Sequence, residues 1–169
     1  GVNADKLNLL KSKAQGGEVT VPLANQSPSR QQLNQIVSLN NQGKLKEALE
    51  QGELLAKTFP NDYSVLDVVG KISFSSGEHE KAIGYFKEAL NVQSGIPKTY
   101  YNLSTALNKL GRYEEAIPFL KKALLLDPSF SEAYVNLGTS LREIGKVEES
   151  LSYFKLAIEV NPKVDQYWF

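Results

Sequence analysis

The chain has no cysteine and no methionine, and a single histidine, His79, among its 169 residues. Without cysteine there is no disulfide, no thiolate nucleophile and no cysteine-based zinc or iron–sulfur site. That fits a reducing compartment, and a cytoplasmic protein is the expectation. Long apolar runs are also missing. The longest strictly apolar run, Ala123-Leu124-Leu125-Leu126, is far too short to span a bilayer. Residues 1–28 lack the apolar core of a signal peptide. No charge sign dominates, since 19 Lys and Arg balance 19 Asp and Glu. Zero net charge speaks against a nucleic-acid binder that works by bulk attraction to phosphate, and it removes a polybasic route to membranes. The Gly16-Gly17 pair lacks the Lys-Ser/Thr of a phosphate loop. A chain that begins at Gly1 and stops at Trp168-Phe169 reads as a piece of a longer protein, with Gly1 a cleavage scar.

What is present is a period. Gly43, Gly77, Gly111 and Gly145 stand 34 residues apart. Five residues after each come Ala48, Ala82, Ala116 and Ser150; seventeen after come Pro60, Ser94, Pro128 and Pro162. Self-similarity at a fixed period is the sequence signature of a stacked array. Four units follow, 29–62, 63–96, 97–130 and 131–164. Within the third, Tyr100, Leu103, Leu107 and Leu110 trace one helical face, as do Tyr113, Ala116, Ile117, Leu120, Ala123 and Leu124 after Gly111. The expected helices are 29–42, 44–58, 63–76, 78–92, 97–110, 112–126, 131–144 and 146–160. Pro118 falls inside one of them and is expected to bend it slightly. Seven residues before each glycine come Ile36, Gly70, Ser104 and Gly138; Ser104 or Gly138 is expected to face Ala116 or Ser150, letting paired axes approach closely.

The pattern Tyr134, Leu137, Gly138, Leu141, Gly145, Ser150, Phe154, Ala157 and Pro162 resembles the tetratricopeptide repeat, as does Tyr100, Leu103, Leu107, Gly111, Tyr113, Ala116, Leu120, Ala123 and Pro128. The resemblance covers residues 29–164. The first unit departs from it, with Gln32 and Gln35 in apolar positions, Ile36 in a small one and Gly52 in a bulky one. It reads as an end unit with a polar face. The resemblance implies an all-α, right-handed solenoid of four helix-turn-helix units. It also implies a concave groove, lined by the first helix of each unit, that binds segments of other proteins. Trp168 falls 34 residues after Tyr134. Residues 165–169 therefore read as the start of a further helix, and the apolar edge of the fourth unit is expected to promote self-association.

By helical geometry the groove positions include Asn34 in unit one and Lys71 and Phe74 in unit two. Unit three supplies Lys98, Tyr101, Asn102, Thr105, Asn108 and Lys109; unit four supplies Val135, Asn136, Thr139 and Arg142. Asn34, Asn102 and Asn136 share one phase, interrupted by Val68. An amide both donates and accepts hydrogen bonds, so it can hold a peptide backbone without reading its side chains. The surroundings of Asn102 and Asn136 are similar to repeats of O-linked N-acetylglucosamine transferases, where the resemblance implies an asparagine ladder on extended peptides. Lys98, Lys109, Arg112, Lys121 and Lys122 make unit three locally basic. Either they clamp an acidic peptide or they are a solvated face; for Lys121 and Lys122 the solvated face is expected. His79 sits in a packing column beside Leu45, Tyr113 and Val147 and reads as structural, with no partners for catalysis.

No catalytic residue, metal site or cofactor is expected. The reading is a non-catalytic protein-interaction module, with two alternatives: a substrate-recruiting arm of a larger glycosyltransferase or sulfotransferase, or a self-assembling scaffold. Outside the repeats, Asp5 to Ala14 could form a short helix. Glu18-Val19-Thr20-Val21-Pro22-Leu23 reads as extended, either a linker or a ligand mimic lying in a groove.

Overall fold

The structure, a computed structural model, describes residues 27–162. The readings for Asp5–Ala14, Val19–Leu23 and the segment 165–169 lie outside the described residues. Eight helices follow in order: α1 (Arg30–Asn41), α2 (Leu45–Thr58), α3 (Tyr63–Ser75), α4 (His79–Val92), α5 (Pro97–Lys109), α6 (Tyr113–Leu126), α7 (Ser131–Glu143) and α8 (Val147–Val160). There is no strand among the described residues.

The turns explain the period. Gly43, Gly77, Gly111 and Gly145 have φ of 75°, 80°, 71° and 82°, a region other residues enter only at a cost. Each closes the preceding helix in the same way. After α5, the Gly111 N–H donates to the Asn108 carbonyl and the Arg112 N–H reaches back to Leu107, both at 3.0 Å. After α7, Gly145 donates to Arg142 and Lys146 to Leu141, both at 2.9 Å. These bonds satisfy carbonyls that a helix end leaves unpaired. At the other ends, Ser29 and Gln32 form a reciprocal cap on α1, and Asp62 accepts from the Val65 N–H to start α3. Pro118 lies inside α6, exposed, and the helix runs through it from Tyr113 to Leu126.

Each helix packs on the next, and the first helices of successive units also touch: α1 on α3, α3 on α5, α5 on α7. This is a helical solenoid, in which every unit buries its apolar face against its neighbours. The core forms two adjoining clusters. One joins Ile36, Leu49, Val65, Leu66, Val69 and Ala89; the other joins Ile83, Phe86, Leu103, Leu107, Leu120 and Leu137. Each large side chain taken fully out of water contributes about 1.5–3 kcal/mol.

The small column makes room for aromatic rings. A Cβ on Gly70 would lie 2.7 Å from the Phe86 ring, and one on Gly138 would lie 2.7 Å from the Phe154 ring. The nearest atoms at both glycines belong to a ring sixteen residues downstream. In unit one the volumes are exchanged: Ile36 is bulky and Gly52 is small, and a Cβ on Gly52 would lie 3.0 Å from Val69 and 3.8 Å from Ile36.

Candidate peptide-binding groove

The first helices place the groove residues side by side, and the joints between them differ. At the joint of α5 and α7, Asn136 Nδ2 donates to Thr105 Oγ1 at 3.1 Å, and Ser140 Oγ donates to Asn108 Oδ1 at 3.0 Å. Thr105 Oγ1 itself donates to the Tyr101 carbonyl at 2.9 Å. Asn136, Asn108 and Thr105 therefore knit two helices together. One unit earlier, at the joint of α3 and α5, the register of these bonds is filled by other residues. Asn102 stands where Asn136 stands, but Lys71 replaces Thr105; Phe74 replaces Asn108 and Ala106 replaces Ser140.

Neither bond survives that exchange. A lysine ammonium only donates, so it cannot accept from an amide N–H. Lys71 pairs instead with Asp67, one turn back on α3. Asn102 Nδ2 is left buried with no hydrogen-bond partner. Beside it opens a pocket of about 150 Å³ lined by Lys71, Phe74, Ser75, Phe86, Asn102 and Thr105. An apolar space of that size holds a benzene-sized group. Its floor is aromatic, and its rim carries one unspent donor.

The other predicted residues lie outside the pocket lining, elsewhere on the first helices. Lys98 lies over the rings of Tyr101 and Phe130, its Nζ 4.7 Å and 5.1 Å from their centroids. Burial pushes the Tyr101 phenol above its ordinary pKa, so it stays protonated and able to donate. Val135 is half-buried on α7, and its carbonyl accepts from Thr139 Oγ1. Lys109 is exposed at the end of α5; Arg142 is exposed on α7 and 3.3 Å from Glu143. Asn34 is exposed on α1, in the unit before the pocket. Phe74 packs against His79 with ring centroids 5.1 Å apart, and His79 is half-buried.

The basic character of unit three is largely matched. Arg112 holds Glu115 at 2.6 Å through a two-pronged contact and reaches Glu80 at 3.2 Å. Lys121 lies 3.9 Å from Glu149. Of the pocket residues, Ser75 was not singled out from the sequence and Phe86 reads there as core packing; Phe130 beneath Lys98 was not singled out either. The signal for the pocket was in the columns: of the two joints that offer an amide from the later helix, α5–α7 supplies Thr105 and Asn108 opposite it, and α3–α5 supplies Lys71 and Phe74. Among the described residues there is no cluster of three or more His, Cys, Asp or Glu able to hold a metal, and no helix long and apolar enough to cross a membrane.

Residues 97–130 and 131–164 match the family model of the tetratricopeptide repeat. No curated protein sequence matches the chain. Among solved structures, the fold is similar to MamA, with 23% identity over 80% of each chain and a TM-score of 0.74. A second MamA structure, of the AMB-1 form, is 25% identical over 77% of this chain and 76% of its own, with a TM-score of 0.71. YrrB, described as a tetratricopeptide-repeat protein with an unusual peptide-binding site, is 24% identical over 82% of this chain and 71% of its own, with a TM-score of 0.70.

Proposed function

The chain carries tetratricopeptide repeats, and from that premise we propose that it is a protein-interaction module that holds a partner's peptide segment along α3, α5 and α7. The pocket between α3 and α5 is the anchor. One apolar side chain of the peptide enters against Phe74 and Phe86, and a main-chain carbonyl accepts from Asn102 Nδ2. The observation that carries this reading is the buried, unpartnered Asn102 amide at the edge of an apolar pocket. A buried donor without an acceptor costs about 1–3 kcal/mol, and a ligand carbonyl would recover it. Asn136 plays a different part, aligning α7 on α5 through Thr105. The peptide-binding description of YrrB is consistent with this use of the fold.

The test is selection from a random phage-displayed peptide library, followed by titration calorimetry with the selected peptides. Asn102→Ala is expected to weaken binding roughly fivefold, in line with a net contribution of about 1 kcal/mol for one hydrogen bond. Ser75→Trp, which fills the pocket from its exposed rim, is expected to abolish binding. Peptides that bind both variants as tightly as the parent chain would overturn the groove assignment, as would a library that yields no binder.

A further inference from the structure

A second cavity opens between the second helices α2 and α4. Every residue lining it lies on α2, on α4 or in the turn that joins α3 to α4, and none lies within a first helix. Its volume is about 450 Å³, enough to admit a whole side chain. The columns account for it. Ser76 stands where Leu110 and Ile144 stand at the two later joints between second helices. The smaller side chain leaves a cleft whose apolar lining is Leu45 and Leu49, the latter buried.

The charges at this joint are reversed and do not balance. Glu53 and Glu78 stand in columns filled by Lys87 and Arg112 at the joint of α4 and α6, and by Lys121 and Lys146 at that of α6 and α8. Lys81 stands where Glu115 and Glu149 do, and Lys46 where Glu80 and Glu114 do. Glu50 stands where the later joints have Gly84 and Pro118. Three carboxylates therefore face two ammoniums around the cleft, against two of each sign at either later joint. Lys81 occupies two of the carboxylates, Glu53 at 2.8 Å and Glu78 at 2.7 Å. Glu50 and Lys46, both exposed, make no ion pair among the described residues. Ser76 Oγ lines the same cleft, buried and without a hydrogen-bond partner among the described residues. A hydroxyl can accept as well as donate.

We propose that this cleft is a second binding site, which takes an arginine side chain of a partner protein. The guanidinium donates two parallel bonds to the Glu50 carboxylate and a further N–H to Ser76 Oγ. Its methylene stem lies on Leu45 and Leu49. Arginine suits the cleft better than lysine, because its planar fork carries several donors and sheds water more readily than an ammonium does. With one carboxylate in excess the cleft matches a single positive charge, whereas a polyamine brings several. Ion pairs this exposed are weak, so one arginine alone binds in the millimolar range and gains strength only within a longer contact. The cleft shares no residue with the groove pocket, so the proposal does not depend on what the groove binds.

Heteronuclear NMR titration of the full 169-residue chain with the capped tripeptide Gly-Arg-Gly tests it. The amide signals of Leu45, Leu49, Glu50 and Ser76 are expected to shift saturably, and capped Gly-Lys-Gly to bind severalfold more weakly. Glu50→Gln is expected to weaken the arginine tripeptide severalfold. Ser76→Leu, which installs the residue type of a later joint, is expected to abolish these shifts with an unchanged circular dichroism spectrum. Asn102→Ala is expected to leave them as they are, which separates this site from the groove. Absence of a saturable shift at these amides would overturn the proposal, as would shifts that Glu50→Gln and Ser76→Leu both leave intact. Equal or tighter binding of Gly-Lys-Gly or of spermidine would overturn it too, since any cation would then serve.

Discussion

Units two and four carry the same wedge in different company. Gly70 opposes Phe86 and Gly138 opposes Phe154, each with 2.7 Å between ring and a hypothetical Cβ. Yet Phe86 is 1% exposed, while Phe154 is half-buried. The local sequence makes the glycine–ring contact in both units. Burial comes from the next unit: α5 lies over α4, and no described helix lies over α8. In a solenoid, then, a side chain's contribution is set by its place in the array as much as by its own repeat. The sharpest test is removal of the rings. Phe86→Ala is expected to destabilise the chain by about 3–5 kcal/mol, and Phe154→Ala by less than about half of that, since its ring is already partly in water. Urea unfolding reads both. Equal losses would mean that the Phe154 ring is as fully packed in solution as Phe86.

A smaller effect refines the same comparison from the glycine side. Alanine in place of a helical glycine gains up to about 1 kcal/mol in helix propensity. At Gly70 the new methyl meets a ring locked in the core, and overpacking of this kind costs about 1–3 kcal/mol. At Gly138 the ring that the methyl meets is only half-buried. Gly70→Ala is therefore expected to lower the urea midpoint, and Gly138→Ala to leave it nearly unchanged or raise it. The reverse order would break the argument that neighbours decide the outcome.

Much of this architecture was legible in advance because it rests on strictly local requirements. A left-handed residue must end each first helix, and four glycines in register announced it. The helix spans read from apolar spacing agree with the observed ones to within a residue or two, since both follow the same 3.6-residue period. At the small column the glycines accommodate rings sixteen residues on, which the spacing alone did not name. Spacing shows that a position must be small, but not which neighbour fills the space. The groove was legible as a surface, not as a set of roles. Asn102 and Asn136 look alike within their own repeats. What separates them is the residue at the next joint, Lys71 against Thr105, a pairing between helices about 30 residues apart. Read as cross-unit donor–acceptor pairs, the same columns would have singled out Asn102 without coordinates.

The smallest expected effect concerns the ion pairs that link the outer helices. Arg112 ties α4 to α6 through Glu80 at 3.2 Å while gripping Glu115, whereas Lys121 and Glu149 join α6 to α8 at 3.9 Å. The interior joint is held by a planar guanidinium with two carboxylates, the terminal joint by one loose contact. The Arg112 guanidinium, through its hydrogen bonds above all, holds the Glu115 carboxyl below its ordinary range. A carboxylate depressed in the folded state adds stability that is present above its unfolded pKa and fades as pH falls through the folded value. Exposed pairs contribute little and are screened by salt. Arg112→Ala is therefore expected to lower the melting temperature slightly at neutral pH and low salt. That difference should vanish in acid, once Glu115 is protonated, and shrink in high salt. Lys121→Ala is expected to produce no measurable shift under any of these conditions. A pH-independent loss for Arg112→Ala would mean that its aliphatic stem packs between the units and that charge plays no part at this joint.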